Sequence, residues 1–147
     1  MIAASEELHD EKLEFTSLIQ HLNEVLKPRG IELKRIKWDP ENDGPIDVYQ
    51  AKLSDCEMCL NLYWRNLADN SEDELNTAYQ QLKEGKNPRN LYVFFKEPTE
   101  DLSEALRVFK ANFVNNCGHF FCKFENVDTM NLHFILQFEA YQNRIED

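Results

Sequence analysis

One carboxylate in this chain, Glu74, has a sequence context in which it could take part in catalysis. It closes the run Ser71-Glu72-Asp73-Glu74, which is typical of the first turn of a helix. In an open parallel sheet, the loops that follow the strands collect at one edge and form the ligand crevice. A carboxylate held at that edge could stabilise the cationic ribosyl carbon that forms when a glycosidic bond breaks. We therefore take Glu74 as the candidate catalytic residue.

Aromatic and charged side chains that directly follow predicted strands could complete a nucleotide site around Glu74. Aromatic rings could stack on a base, Arg65 and Lys96 could bind a phosphate, and carboxylates could bind a ribose. The candidate ligand-binding residues are Ser5, Trp38, Asp39, Tyr63, Trp64, Arg65, Ser71 and Lys96. The candidate ligand is NAD or another nucleotide, either as a substrate or as a ligand that is not consumed.

Each of these residues also has a structural explanation. Glu74 can complete a capping box with Ser71, in which the glutamate side chain bonds the backbone at the helix start. Aromatic residues at strand ends often close a core, and the cations could be solvated or ion-paired. The acidic run in the first predicted helix, Glu6-Glu7 with Asp10-Glu11, is interpreted as solvated surface.

The four cysteines are interpreted as small buried side chains rather than as metal ligands. Cys56 and Cys59 have a spacing that zinc sites use. A second cluster, which could add two sulfurs and a nitrogen, comprises Cys117, His119 and Cys122. However, Cys59 falls within a predicted strand, and in an extended chain residues 56 and 59 point to opposite faces. We therefore predict no metal site.

Strands and helices alternate along the chain, and this alternation positions the candidate residues. Strand patterns cover residues 1–4, 31–38, 58–63, 91–95 and 120–124. Helical patterns begin at Ser5, Ile46, Ser71, Leu102 and Asp128, and Pro28 with Gly30 ends the first of them. Short strands that alternate with helices predict a parallel sheet covered on both faces. The predicted fold class is α/β, a three-layer flavodoxin-like sandwich with a five-stranded parallel sheet.

Composition and charge disfavour several classes of partner. The 147 residues are 42% hydrophobic and 29% charged, as expected for one globular domain. The net charge of −11 disfavours nucleic acid and anionic membranes as partners. No apolar run is long enough to span a bilayer, and the first residues do not form a signal peptide pattern. We therefore expect no membrane partner and a cytoplasmic location.

The order of these motifs resembles the TIR-like and nucleoside-deoxyribosyltransferase-like group of small flavodoxin-like domains. The stretches that carry the resemblance are Ile2 to Leu8, Leu53-Ser54-Asp55, Ser71 to Ala78 and Tyr92 to Lys96. More narrowly, the chain is similar to the uncharacterised TIR-like domain found at the N-termini of bacterial STAND ATPases and tetratricopeptide proteins. The resemblance implies a single TIR-like domain over residues 1–147, suited to be the N-terminal module of a longer protein.

The resemblance implies two classes of function. In the enzymatic branches, the catalytic glutamate lies near the start of the helix after the third strand, which corresponds to Glu74. Many other TIR-like domains act in signalling or defence through self-association and protein contacts. The Trp-Cys pair of TIR enzymes is missing before Glu74, and Asn70-Ser71 replaces the Gly-Thr of deoxyribosyltransferases. The leading interpretation is therefore a signalling or defence module; the alternatives are an NAD or nucleotide N-glycosidase and a non-catalytic nucleotide sensor.

Overall fold

A parallel β-sheet with helices on both faces forms the centre of the protein. The computed structural model describes residues 1–4, 6–36, 46–67, 71–97, 100 and 102–146. Within them, the strands are β1 (Ile2–Ala4), β2 (Met58–Tyr63), β3 (Asn90–Lys96) and β4 (Cys122–Phe124). The α-helices are α1 (His9–Leu26), α2 (Ile46–Ser54), α3 (Ser71–Lys83), α4 (Glu104–Asn112) and α5 (Val127–Glu146). The predicted α/β class is confirmed.

The strands lie in the order β1-β2-β3-β4, and each neighbouring pair is parallel. Leu60 of β2 is in register with Ile2 on one side and with Tyr92 on the other. A flavodoxin-like sheet has the order 2-1-3-4-5, so the observed order is consistent with that fold without its second strand. The predicted count of five strands is therefore wrong for the described residues. Residues 31–36 have no regular structure, and residues 37 and 38 lie outside the described part.

The side chain of Asn23 on α1 takes the place of strand pairing for the segment 31–36. Asn23 Oδ1 accepts the N–H of Leu33 at 2.7 Å, and Asn23 Nδ2 donates to the Leu33 carbonyl at 3.0 Å. Both backbone polar groups of Leu33 are therefore satisfied by a helix side chain. Among the described residues, no hydrogen bond joins this segment to β1.

Alternation along β2 and β3 divides the core into two clusters, one on each face of the sheet. The cluster under α1 and α5 includes Leu60, Leu62, Tyr92 and Phe94. The cluster under α2, α3 and α4 includes Cys59, Tyr63, Val93 and Phe95. Residues 90–95 of β3 are all buried, as predicted for a strand that is covered on both faces.

Several helix starts differ from the sequence prediction by a few residues. A single 3₁₀ turn, Glu6–Leu8, precedes α1, and the predicted cap Ser5 lies outside the described residues. The helix α3 begins at Ser71 itself, so its capping position, residue 70, also lies outside them. Asn126 rather than Asp128 caps α5, because Asn126 Oδ1 accepts the N–H of Thr129 at 2.9 Å.

Candidate functional site

The carboxyl edge of the sheet and the start of α3 hold the predicted site residues that the structure describes. These residues are Tyr63, Trp64, Arg65, Ser71, Glu74 and Lys96. The other predicted ligand residues, Ser5, Trp38 and Asp39, lie outside the described part of the chain. The geometry of the predicted site can therefore be examined at the ends of β2 and β3.

The sheet separates these candidates into two groups. Tyr63 belongs to the cluster under α2, α3 and α4, and Glu74 reaches that cluster from α3. Trp64 packs against the opposite cluster, and Lys96 forms an ion pair there with Glu11 of α1. Glu74 and Trp64, which the sequence interpretation combined in one nucleotide site, therefore lie on different faces of the sheet.

The indole ring of Trp64 is covered by cations. Lys96 Nζ lies 4.0 Å and Arg65 Cζ lies 4.2 Å from the ring centroid. Both contacts are cation–π interactions, which a low-polarity setting strengthens. A nucleotide base that stacked on a face of Trp64 covered by Lys96 or Arg65 would have to displace that cation.

Two glutamates that sequence reasoning assigned to solvated surface organise this edge. Glu7 Oε1 accepts the backbone N–H groups of Arg65 and Asn66 at 2.9 and 2.8 Å, and Glu7 Oε2 accepts the Asn66 side-chain amide at 2.9 Å. Glu11 is buried and pairs with Lys96. The interpretation as solvated surface is therefore wrong for Glu7 and Glu11. Their spacing of four residues, directly after β1, is the sequence signal that could have placed them at the carboxyl edge.

Arg65 differs from the neighbouring cations in its partners. Lys96 has Glu11 and Lys110 has Glu97 at 3.9 Å, whereas the Arg65 guanidinium has no hydrogen bond or ion pair within the described part of the chain. Its Nε atom is buried. A guanidinium that lacks an anionic protein partner can bind an anionic group through its terminal nitrogens.

The backbone of Arg65 is held on both sides. Its N–H donates to Glu7, and its carbonyl accepts the N–H of Ser103 at 2.8 Å. Ser103 in turn caps α4, because its Oγ accepts the N–H of Leu106 at 3.2 Å. The backbone of Arg65 is therefore fixed beside the N-terminus of α4, and its guanidinium lies over Trp64.

Glu74 lies in a buried polar cluster beneath α2 and α3. The residue is 6% exposed, and its backbone carbonyl accepts the Tyr49 hydroxyl at 3.2 Å. Burial, followed by the charges of Cys59 and Glu74, raises the pKa of the Tyr49 and Tyr63 phenols well above 10.0. Asn61, which lies on β2 between Cys59 and Tyr63, is fully buried, and its Nδ2 lies 3.6 Å from Cys59 Sγ. The Glu74 carboxylate is thus surrounded by protein rather than placed in an open crevice.

Two cavities open elsewhere on the described part of the molecule. A cleft of 420 Å³ lies at the amino edge of the sheet, between β1, α1 and the segment 31–36. A groove of 270 Å³ lies between α3 and the end of α4, where the π-helix Phe113–Cys117 follows. Neither cavity is lined by Glu74, Trp64, Arg65 or Lys96.

The cysteines form no disulfide in the structure. Cys56, Cys59 and Cys122 are buried, as predicted for small apolar side chains, and Cys117 is half-buried. Within the described ranges, no three His, Cys, Asp or Glu side chains are grouped so that they could hold a metal ion. None of the helices described combines the length and the apolar content that a bilayer crossing requires.

Comparison with known proteins found no matching family model, no matching curated protein and no matching solved structure. The fold by itself makes this chain an α/β protein with a parallel sheet, and the strand order is consistent with a flavodoxin-like fold. The TIR-like resemblance stays a prediction that rests on the sequence motifs.

Proposed function

We propose that this protein is a TIR-like signalling or defence module that acts through self-association and protein contacts. The observation that carries the proposal is the outward face of α5. Met130, Phe134 and Phe138 are buried against the sheet, whereas Leu132 and Leu136 lie one turn apart on the other face. These two leucines are 56% and 60% exposed. Adjacent exposed apolar side chains on one helix face are typical of a contact surface.

The carboxyl edge of the sheet supports the same proposal. Glu11 neutralises Lys96, and cations cover Trp64, so much of the polar surface expected to bind a nucleotide already has protein partners. Glu74 is buried on the other face of the sheet. A crevice that is largely filled by internal contacts favours a role in assembly over turnover of a small molecule.

Replacement of both Leu132 and Leu136 by aspartate should abolish self-association and leave the fold intact. Burial of a leucine in an interface contributes roughly 1.5–3 kcal/mol, so loss of two should weaken dimerisation at least about a hundredfold. Sedimentation analysis over a range of concentrations measures this change. Since two copies each carry a charge of −11, the wild-type association should also strengthen as salt is added.

Val108→Asp is the matched control for the leucine variants. Val108 is also exposed, but it lies on α4 and therefore on the other face of the sheet. This variant should associate as the wild type does. A wild-type protein that stays monomeric at high concentration and high salt would contradict the proposal, as would a double aspartate variant that associates normally.

Nucleotide binding is the second candidate, and the Arg65 guanidinium favours it. This cation has no ion-pair partner among the described residues, in a protein whose acidic residues outnumber its basic ones by 27 to 16. A phosphate could supply that partner. In an NAD or nucleotide N-glycosidase, Glu74 would stabilise the cationic ribosyl carbon, which would require the start of α3 to open, because Glu74 is buried on the other face of the sheet from Trp64. In a nucleotide sensor the ligand would remain intact.

Nicotinamide release from NAD distinguishes these functions. The wild-type protein should be incubated with NAD, with and without a crowding agent that promotes assembly, and the products separated by chromatography. An N-glycosidase requires release by the wild type and none by Glu74→Gln, which removes the charge and nearly preserves the shape. Glu72→Gln, at an exposed position in the same turn, is the control and should keep wild-type turnover.

Binding without release would identify a sensor, and Arg65→Met should then remove the binding. If NAD is neither bound nor consumed in any of these conditions, the nucleotide candidate fails and the assembly proposal remains.

A further inference from the structure

The cleft at the amino edge of the sheet reaches from the surface into the core. Its floor is apolar and consists of Phe15, Ile19, Leu60, Tyr92 and Phe134. Its mouth carries charges of both signs, three acidic on Glu32, Asp55 and Glu57 and two basic on Lys34 and Arg35. The volume of 420 Å³ lies within the range of small-molecule sites. An apolar void of this size leaves its lining without contacts that a close-packed interior would supply.

One wall of the cleft is the open edge of β1. The backbone of Met1 faces β2, because its carbonyl accepts the N–H of Leu60 at 2.8 Å and its amino group donates to the Met58 carbonyl at 2.9 Å. Successive residues of a parallel strand present their N–H and C=O groups to opposite sides. The backbone groups of Ile2 and Ala4 are therefore directed away from β2, and Ile2 lines the cleft.

The opposite wall is the segment 31–36, whose sequence pattern predicts a strand. Leu33 directs both backbone groups to Asn23 on α1, at 2.7 and 3.0 Å. In an extended backbone the neighbouring residues Glu32 and Lys34 would direct theirs the other way, towards β1. The apolar side chains already alternate as in a strand, since Ile31 and Leu33 pack in one core cluster and Ile36 in the other. To pair with β1, the segment would have to move across the cleft. Its side chains would keep the faces that they already occupy.

We propose that this cleft is a gated binding site for a small, largely apolar molecule with at most a small polar head. Without a bound molecule the segment 31–36 exchanges between the open position, in which Asn23 holds Leu33, and a closed position, in which it crosses the cleft and pairs with β1. When the molecule is bound, the segment stays on Asn23 and the cleft stays open. The apolar floor selects the ligand body, and the nearly balanced charges at the mouth disfavour a multiply charged ligand such as a nucleotide. This site is separate from the carboxyl edge and does not depend on the function proposed above.

Binding of anilinonaphthalene sulfonate, followed by its fluorescence, tests the site. The probe has fused aromatic rings and a single charged group, so it matches the proposed class. Ile19→Trp should fill the cleft and weaken probe binding at least about tenfold, a change of about 1.4 kcal/mol. Leu13→Trp is the matched control, because it introduces the same residue on the exposed face of the same helix. Absence of saturable binding to the wild type, or equal binding by the two tryptophan variants, would overturn the proposal.

Asn23 tests the gate. Asn23→Leu removes both bonds to Leu33 and should free the segment, whereas Asn23→Asp keeps the acceptor for the Leu33 N–H. In Asn23→Leu we expect slower amide hydrogen exchange at Ala4 and Lys34, and weaker probe binding, because closure competes with the probe. Saturating probe should restore fast exchange. If exchange at these two amides is the same in Asn23→Leu and in the wild type, and unaffected by the probe, the segment does not close and the proposal is wrong.

Discussion

Lys96→Met should destabilise the protein by about 3–5 kcal/mol, because it leaves the buried carboxylate of Glu11 without its cation. The side chains of Glu11 and Lys96 are 7% and 19% exposed, so water can replace little of the lost interaction. Methionine retains most of the apolar stem and keeps a contact with Trp64, so packing changes little. The loss is a large share of the 5–15 kcal/mol that stabilises a typical domain. Urea unfolding at neutral pH measures it through the shift in midpoint.

Two comparisons separate the charge effect from other effects of the substitution. Lys86→Met breaks the ion pair between Lys86 and Glu84, whose side chains are 70% and 43% exposed. This substitution should change stability little. The double variant Glu11→Leu with Lys96→Met removes both charges and should recover most of the lost stability, because no unpaired charge remains buried. If Lys96→Met is as mild as Lys86→Met, the pair does not stabilise the carboxyl edge as the structure implies.

The strands that lie deep in the sheet could be predicted from sequence because burial on two faces leaves a strong local signal. The run from Leu91 to Phe95 is apolar throughout, and all of it is buried in β3. The sequence over residues 31–38 alternates less clearly. The structure of residues 31–36 depends on Asn23, a residue of the preceding helix that satisfies the Leu33 backbone. A side chain that competes with strand pairing in this way leaves no trace in the local periodicity.

The candidate site shows the same limit. Chain position correctly placed Arg65 and Lys96 at the carboxyl edge, because any residue after a parallel strand lies there. Which of these residues meet depends on the face of the sheet on which each side chain lies. Glu74 and Trp64 lie on different faces and are therefore apart. The partner of Lys96 is Glu11, 85 residues away in the chain, and composition alone makes such a glutamate resemble solvated surface. Non-local pairing therefore set the part of the site that sequence reasoning missed.

Alkaline pH should unfold this protein steeply, because three groups under α2 and α3 keep their protons in the folded state. Burial raises the pKa of the Cys59 thiol from 9.0 to about 11, and burial also raises the pKa of the Tyr49 and Tyr63 phenols from 10.0. The unfolded chain loses these protons at the ordinary values, so it binds fewer protons and the free energy of unfolding falls as pH rises. Their contribution is complete below about pH 9, and Cys59 alone loses about 2 kcal/mol by about pH 11.

Tyr63→Phe isolates one of these groups, because it removes the ionisable hydroxyl and retains the ring that packs against Phe95 and Phe109. Above about pH 10 its free energy of unfolding should fall less steeply than that of the wild type, by about 1.4 kcal/mol per pH unit. Urea unfolding at neutral pH and at several values between about pH 9 and pH 11 measures both slopes. Cys117→Ala, which removes a half-buried thiol at the margin of this core and none of the three groups, should keep the wild-type slope. Equal slopes for Tyr63→Phe and the wild type would mean that the phenol reaches solvent and ionises in the folded state. The space beside Glu74 would then be open to water, and the argument that its burial favours assembly over catalysis would lose its basis.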